Sequence, residues 1–195
     1  MTSPAGTELQ RLLAELAEFG RNNDAHEVDR GKRMLNITPE TGQLLAILVR
    51  AIGAQRVLEI GTSNGYSTLW LASAVHGHVD TIDRAADKLA LARANLDRAR
   101  LLVRVTLHHG SALDILPTLE SGYDLIFLDA DRPSYMDYYE PILTLLRPGG
   151  LLVTDNVVSH AHELTEFLAR LAADPRLDTV TVPIGNGEEL TYKRT

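Results

Sequence analysis

The chain contains no cysteine. Disulfides, thiolate metal centres and cysteine nucleophiles are therefore excluded. It has no clustered run of lysine and arginine, and its net charge is −7. Binding along a phosphate backbone needs such a basic patch, so the balance argues against a nucleic-acid partner. It leaves room for a small neutral or anionic ligand in a local pocket. No apolar run reaches membrane-spanning length. The opening stretch "MTSPAGTELQ" lacks the apolar core of a secretory signal. These absences predict a soluble cytoplasmic protein with no membrane partner. The sequence also shows no internal repeat, no low-complexity tract and no linker long enough to divide it.

What is present fits one domain spanning residues 1–195. Apolar residues make up 45% of the chain, which is enough for a real core. Thr7 to Gln10 reads as a capping box opening an amphipathic helix, with Leu9, Leu12, Leu13 and Leu16 on one face. The polar stretch "GRNNDAHEVDRGKR" reads as a loop. Thr38-Pro39 reads as the cap and first residue of a second helix that stops near Gly53. From "RVLEIG" onward, strand and helix patterns alternate as far as "HELTEFLARLAA". "LDTVTVPI" and "ELTYKR" then close the chain as an antiparallel pair. Such alternation predicts right-handed crossovers and a mostly parallel sheet with helices on both faces. The nearly continuous apolar runs suit strands buried on both sides.

Ligands of open parallel sheets bind at the carboxyl ends of the strands. Glu59 and Gly61, Asp83, Ser111, Asp129, and Asp155 with Asn156 all fall at such ends. Taken singly, each acidic or amide residue is also an ordinary helix cap. Their coincidence is the informative feature. The loop in "LEIGTSNGYS" has the form E-x-G-x-x-x-G, not the G-x-G-x-x-G of dinucleotide enzymes. No nucleotide-triphosphate motif is present either. Asp83 ends the next strand, where a carboxylate can take both hydroxyls of a ribose. A nucleoside is implied, without a required pyrophosphate.

Several stretches in order, "VLEIGTSNGYSTLWLA", "TID", "GSALDILPTL", "YDLIFLDADRPSYMDYYE", "LLRPGGLLVTDNVV" and "PIGNG", resemble the metal-dependent class I O-methyltransferases. Caffeoyl-CoA and catechol O-methyltransferases are the best-known members of that family. The resemblance runs from about Arg33 to Lys193 and implies a Rossmann-like fold with a seven-stranded sheet. It also implies that S-adenosylmethionine lies on the glycine loop. Glu59 and Gly61 would border its methionine portion, and Ser67 would bind its carboxylate near a helix N-terminus, where negative charge is favoured. Asp83 would hold the ribose, Ser111 and Ala112 would flank the adenine, and the segment around Ile37 would cover the cofactor. Plain alternatives stand beside two of these: Ser67 as a helix-start hydroxyl and Ala112 as packing. Trp70 reads as core. By the same resemblance the protein would form a homodimer.

Asp129 ends one strand, and Asp155 and Asn156 end the next. Two carboxylates and a carboxamide oxygen suit a hard divalent cation, whereas two acidic caps side by side would repel one another. The family places a metal at these positions, with Asp129 close to both metal and cofactor. Mg²⁺ leads by ligand hardness, with Mn²⁺ or Ca²⁺ as alternatives. The expected acceptor is a small molecule with a catechol-like pair of oxygens. The helix and loop of residues 1–38 would wall its pocket.

One position departs from the family. Relatives usually read D-A-D-K, with the lysine as general base, whereas this chain reads D-A-D-R with Arg132. A guanidinium is not deprotonated in proteins, so Arg132 is no base, although it can stabilise a phenolate. His160 is a candidate for the proton, set against a plain role as an exposed helix-start residue. Two further readings stay open: methylation of a modified tRNA base, and a cofactor-binding regulatory protein that has lost catalysis. A nicotinamide-dependent oxidoreductase stands further off, because the glycine spacing is wrong.

Overall fold

A computed structural model describes residues 4–195, and residues 1–3 of the stretch read for a signal lie outside them. Helices α1 (Pro4–His26) and α2 (Pro39–Ala51) precede the first strand. There follow β1 (Arg56–Ile60), α3 (Tyr66–Ala74), β2 (His78–Asp83), α4 (Ala86–Arg98), β3 (Val105–His109) and the short α5 (Ala112–Ile115). The chain closes with β4 (Tyr123–Leu128), α6 (Tyr135–Leu145), β5 (Leu146–Thr154), α7 (Ala161–Ala173), β6 (Leu177–Val182) and β7 (Glu188–Lys193). The strands form one seven-stranded sheet in the order β3-β2-β1-β4-β5-β7-β6. The first five run parallel, and β7 pairs antiparallel with both β5 and β6. The expected closing pair is therefore present, with β7 inserted between β5 and the edge strand β6.

Alternation along each strand sorts the core into two layers. Val57, Leu125, Phe127 and Val153 face the layer built with α1, α2 and α3. Leu58, Ile60, Ile126, Leu128 and Leu152 face the layer built with α6 and α7. A strand buried on both faces needs apolar residues at every position, which is why these segments read as unbroken runs. No helix among the described residues is long and apolar enough to cross a membrane.

Two local expectations are corrected. Thr7 does not open the first helix, which already begins at Pro4. The polar stretch from Gly20 is helical as far as His26, where a loop was expected. Asn and Asp are poor helix formers alone, but tertiary contacts override such preferences. Here Asn23 and Asp24 accept the backbone N–H of Met34, and Asp24 also accepts that of Leu35. The helix is thus fixed by the segment that folds back on it. The second helix follows expectation: the Thr38 hydroxyl caps it by accepting from Thr41 N–H, with Pro39 in the first turn.

The strand order reverses between β1 and β4, since β1 continues to β2 on one side and pairs with β4 on the other. Such a switch point opens a crevice at the carboxyl ends of the strands. The loops leaving those ends are laced together by backbone bonds. Gly61 N–H donates to Ile82 C=O, Gly110 N–H to Asp83 C=O, Asp129 N–H to Ile60 C=O and Asp155 N–H to Leu128 C=O.

Candidate active site

A cavity of about 770 Å³ occupies the crevice. Ile37, Gly61, Ser67, Asp83, Ser111, Ala112, Asp129, Arg132, Asp155, Asn156 and His160 all line it. Of the cofactor, metal and proton-handling candidates from the sequence, Glu59 alone does not.

The glycine loop explains its own composition. Gly61 sits at φ +111°, and a Cβ there would lie 1.9 Å from the carbonyl oxygen of Asp129. Only glycine tolerates both that dihedral and that approach. The loop then turns into α3, which places Ser67 in the first helical turn, where unpaired N–H groups favour an anion. Glu59 lies beneath the loop, fully buried, and accepts from the hydroxyls of Thr68 and Thr81. Burial raises its pKa to about 7, while hydroxyl bonds from Ser67, Thr68 and Thr81 act against the rise. One of its oxygens has no partner within the protein. Glu59 therefore shapes the floor under Ser67 and does not border the cavity. Asp83 accepts from Ser63 N–H at 2.8 Å and Ala85 N–H at 2.9 Å, which fixes its carboxylate at the end of β2. Ser111 precedes α5 and Ala112 starts it. Ile37 is buried on the opposite side of the cavity. Trp70 packs against the α1–α3 layer and meets Tyr66 edge to face, as expected of a core residue.

On the other side, Asp129 and Asp155 stand at the ends of neighbouring strands. Asn156 takes a left-handed conformation at φ 70°, which asparagine tolerates better than most residues. Its Nδ2 donates to Asp129 Oδ1 at 2.9 Å. Burial is the main cause pushing the Asp129 carboxyl well above the ordinary range, followed by the nearby charges of Asp155 and Glu59. Asp155 is also raised, chiefly by burial, against a lowering hydrogen bond from Glu188. Glu188 is raised to about 10 by burial and by Asp155. It also accepts from the Thr41 hydroxyl at 2.9 Å. Tyr135 braces this side from below. Its hydroxyl accepts from Ala130 N–H at 3.2 Å and donates to Leu128 C=O at 3.5 Å, bracketing Asp129.

Among the described residues, no three His, Cys, Asp or Glu side chains are grouped as a metal site. The donor set is instead two carboxylates and a carboxamide. It fits a hard divalent ion, because two carboxyls stand at adjacent strand ends, the nearby Arg132 is already engaged by Glu163, and hard ions take oxygen ligands. The carboxamide would have to turn its oxygen, not its nitrogen, towards the ion.

Arg132 lies in the turn after Asp131, and its guanidinium is bound at two points. Nε donates to Glu163 Oε2 at 2.8 Å and Nη2 to Glu163 Oε1 at 3.3 Å. It lines the cavity as a paired cation whose direction is set by α7. His160 is half-buried at the start of α7, with Nδ1 2.9 Å from the Ser159 hydroxyl. Both expectations for it are met in part: it begins a helix, and it lines the cavity.

Sequence reasoning missed Glu188, Ser63, Lys88 and Tyr135. Glu188 left a signal, since it points inward from a strand at a position where alternation calls for an apolar residue. Tyr135 and Lys88 left none, because aromatic residues and lysines are unremarkable on helices.

The chain belongs to the O-methyltransferase family, whose pattern matches residues 4–194. It is 40% identical over 144 residues to a catechol O-methyltransferase of Niastella koreensis, covering 71% of this chain and 65% of that relative. The chain thus spans about two thirds of that relative's length. Among solved structures it resembles the O-methyltransferase TomG of Streptomyces achromogenes, involved in tomaymycin synthesis and solved with SAM. Identity is 31%, the TM-score is 0.83, and the match covers 94% of this chain and 90% of that one. An O-methyltransferase of Bacillus cereus solved with SAH is 30% identical, with a TM-score of 0.81 over 94% of this chain and 91% of that one.

Proposed function

We propose that the protein is an S-adenosylmethionine-dependent, divalent-metal-dependent O-methyltransferase of a small diphenolic acceptor. The observation that carries this reading is one cavity lined at one end by Gly61, Ser67 and Asp83 and at the other by Asp129, Asp155 and Asn156. A volume of about 770 Å³ has room for a nucleoside-sized donor and a small aromatic acceptor together. The catechol O-methyltransferase relative and the SAM-bound TomG structure support the same pairing.

When bound, the donor supplies a methyl group on sulfonium, and the metal supplies Lewis acidity that makes a chelating hydroxyl easier to ionise. The protein's residues do the positioning. Asp83 would hold the ribose and Ser67 the carboxylate, in the same cavity that Asp129 lines. Asp129, Asp155 and Asn156 would orient the acceptor oxygens through the metal. Holding both reactants in one geometry is itself a large contribution to rate. Arg132 takes no proton, but its charge favours an ionised acceptor oxygen. Glu163 fixes its direction. With no base at Arg132, the acceptor's proton would pass to solvent or to His160, which lines the same cavity, so turnover should rise towards alkaline pH.

The test is a screen of diphenolic acceptors with a labelled methyl donor, Mg²⁺ or Mn²⁺, and chelator controls. Transfer that stops in chelator, returns with metal, and is faster at neutral pH for more acidic acceptors is the expected result. Full activity in excess chelator would remove the metal from the mechanism.

A further inference from the structure

We infer that Lys88 and Ser63 are positioning residues that clasp the segment from Arg33 to Ile37 over the donor end of the cavity. The inference rests on the reading of that end as the S-adenosylmethionine site.

The segment lies between a short turn and α2 and forms neither helix nor strand. Arg33, Met34, Leu35, Asn36 and Ile37 all line the cavity opposite the glycine loop. Without regular structure of its own, the strap must find partners for its backbone elsewhere. On its outer side, Asp24 accepts from Met34 and Leu35 N–H, and Asn36 Nδ2 donates to Leu16 C=O at 3.0 Å. On its inner side, Lys88 Nζ donates to Arg33 C=O and to Ser63 Oγ, the latter at 3.3 Å. Ser63 Oγ donates in turn to Met34 C=O at 2.8 Å. Leu35 is held at φ 50°, a left-handed conformation that leucine adopts only when its surroundings impose it.

Lys88 is 5% exposed, a degree of burial that lysine seldom reaches without a specific partner. Burial lowers its pKa, and the charges of Asp83, Asp24 and Asp87 act against that. An apolar side chain would fill the same space without this desolvation. What the ammonium adds is a connection. Ser63 belongs to the glycine loop, and its N–H is bonded to the Asp83 carboxylate at 2.8 Å. Strap, glycine loop and ribose acid are therefore joined through two residues. A donor molecule seated between strap and loop would leave only when that clasp opens.

The experiment measures S-adenosylmethionine and S-adenosylhomocysteine binding by calorimetry on the wild type, Lys88→Met and Ser63→Ala. The wild type should bind both. Lys88→Met should lose about tenfold in affinity and Ser63→Ala about threefold, the range for one or two lost hydrogen bonds. The KM for the donor should rise by the same factors, with kcat at saturating donor and the acceptor KM within about twofold. Trypsin should cut at Lys32 or Arg33 in the variants under donor concentrations that protect the wild type. Ser63→Ala keeps the Lys88 charge, so it separates the clasp from any field of Lys88 on Asp83. It also decides the matter if Lys88→Met does not fold. Unchanged donor affinity and protease protection in Ser63→Ala would overturn the clasp. A wild type that binds neither compound would overturn the donor site itself and the inference with it.

Discussion

On the β1–β2 side of the cavity, each carboxylate has hydrogen-bond donors of its own. Asp83 holds two backbone N–H groups, and Glu59 holds threonine hydroxyls. On the β4–β5 side, burial raises the pKa of Asp129, Asp155 and Glu188, and the charge of Asp155 adds to the rise at Asp129 and Glu188. Arg132 is the nearby guanidinium, and Glu163 already engages it. The first side is organised by the fold as it stands. The second gathers three acidic groups whose ionised forms the protein alone disfavours. The difference teaches where binding should be insensitive to ions and where it should depend on them.

The largest test of this contrast is Asp155→Ala. Loss of this proposed metal-holding carboxylate should lower methyl transfer on the order of 10³-fold, the measure of several kcal/mol of Lewis-acid stabilisation. Donor affinity by calorimetry should stay within about threefold. A comparable collapse of donor binding would show that the two sides are not separable.

The next concerns Glu59. Its folded-state pKa is about 7 against an ordinary 4.5, so the folded protein holds a proton that the unfolded chain releases between those values. Stability should therefore be full below about pH 4.5 and fall as pH rises through 7. The loss is on the order of 3 kcal/mol for a fully buried group. Denaturant titrations of Glu59→Gln should slope less steeply across that window than those of the wild type, the rest of the slope belonging to Asp129, Asp155 and Glu188. Parallel curves would mean that Glu59 is ionised and compensated.

The smallest effect belongs to Asp83→Ala. Donor affinity should weaken by about 1–3 kcal/mol, the cost of leaving buried hydroxyls unpaired. Mg²⁺ affinity should not change. Equal donor binding would refute the ribose role and leave Asp83 as a brace for Ser63.

How much of this was legible in the sequence depended on range. The sheet could be read because its strands are buried on both faces, which forces continuous apolar runs such as "YDLIFLDA". The site could be read because parallel strands deliver their last residues to one edge, so Asp83, Asp129 and Asp155 announce themselves by position. The clasp and the brace were not legible. Lys88 meets Arg33 across 55 residues of chain, and nothing local to either marks the meeting. The extension of α1 to His26 was hidden for the same reason, because the partners that stabilise Asn23 and Asp24 lie on the returning strap. Arg132 could be seen to be no base, but not that Glu163 holds it.

The close approach of Gly61 to the Asp129 carbonyl has a consequence for how such a protein can diversify. The two ends of the cavity share a wall one backbone thick, so neither can be reshaped there without moving the other. Variation in acceptor choice is driven outward, to rim positions where only a side chain is at stake. His160, half-buried on the cavity wall, is such a position. A saturation library should accept many residues there and almost none at 61, and lineages with different acceptors should differ at the rim while keeping the shared wall.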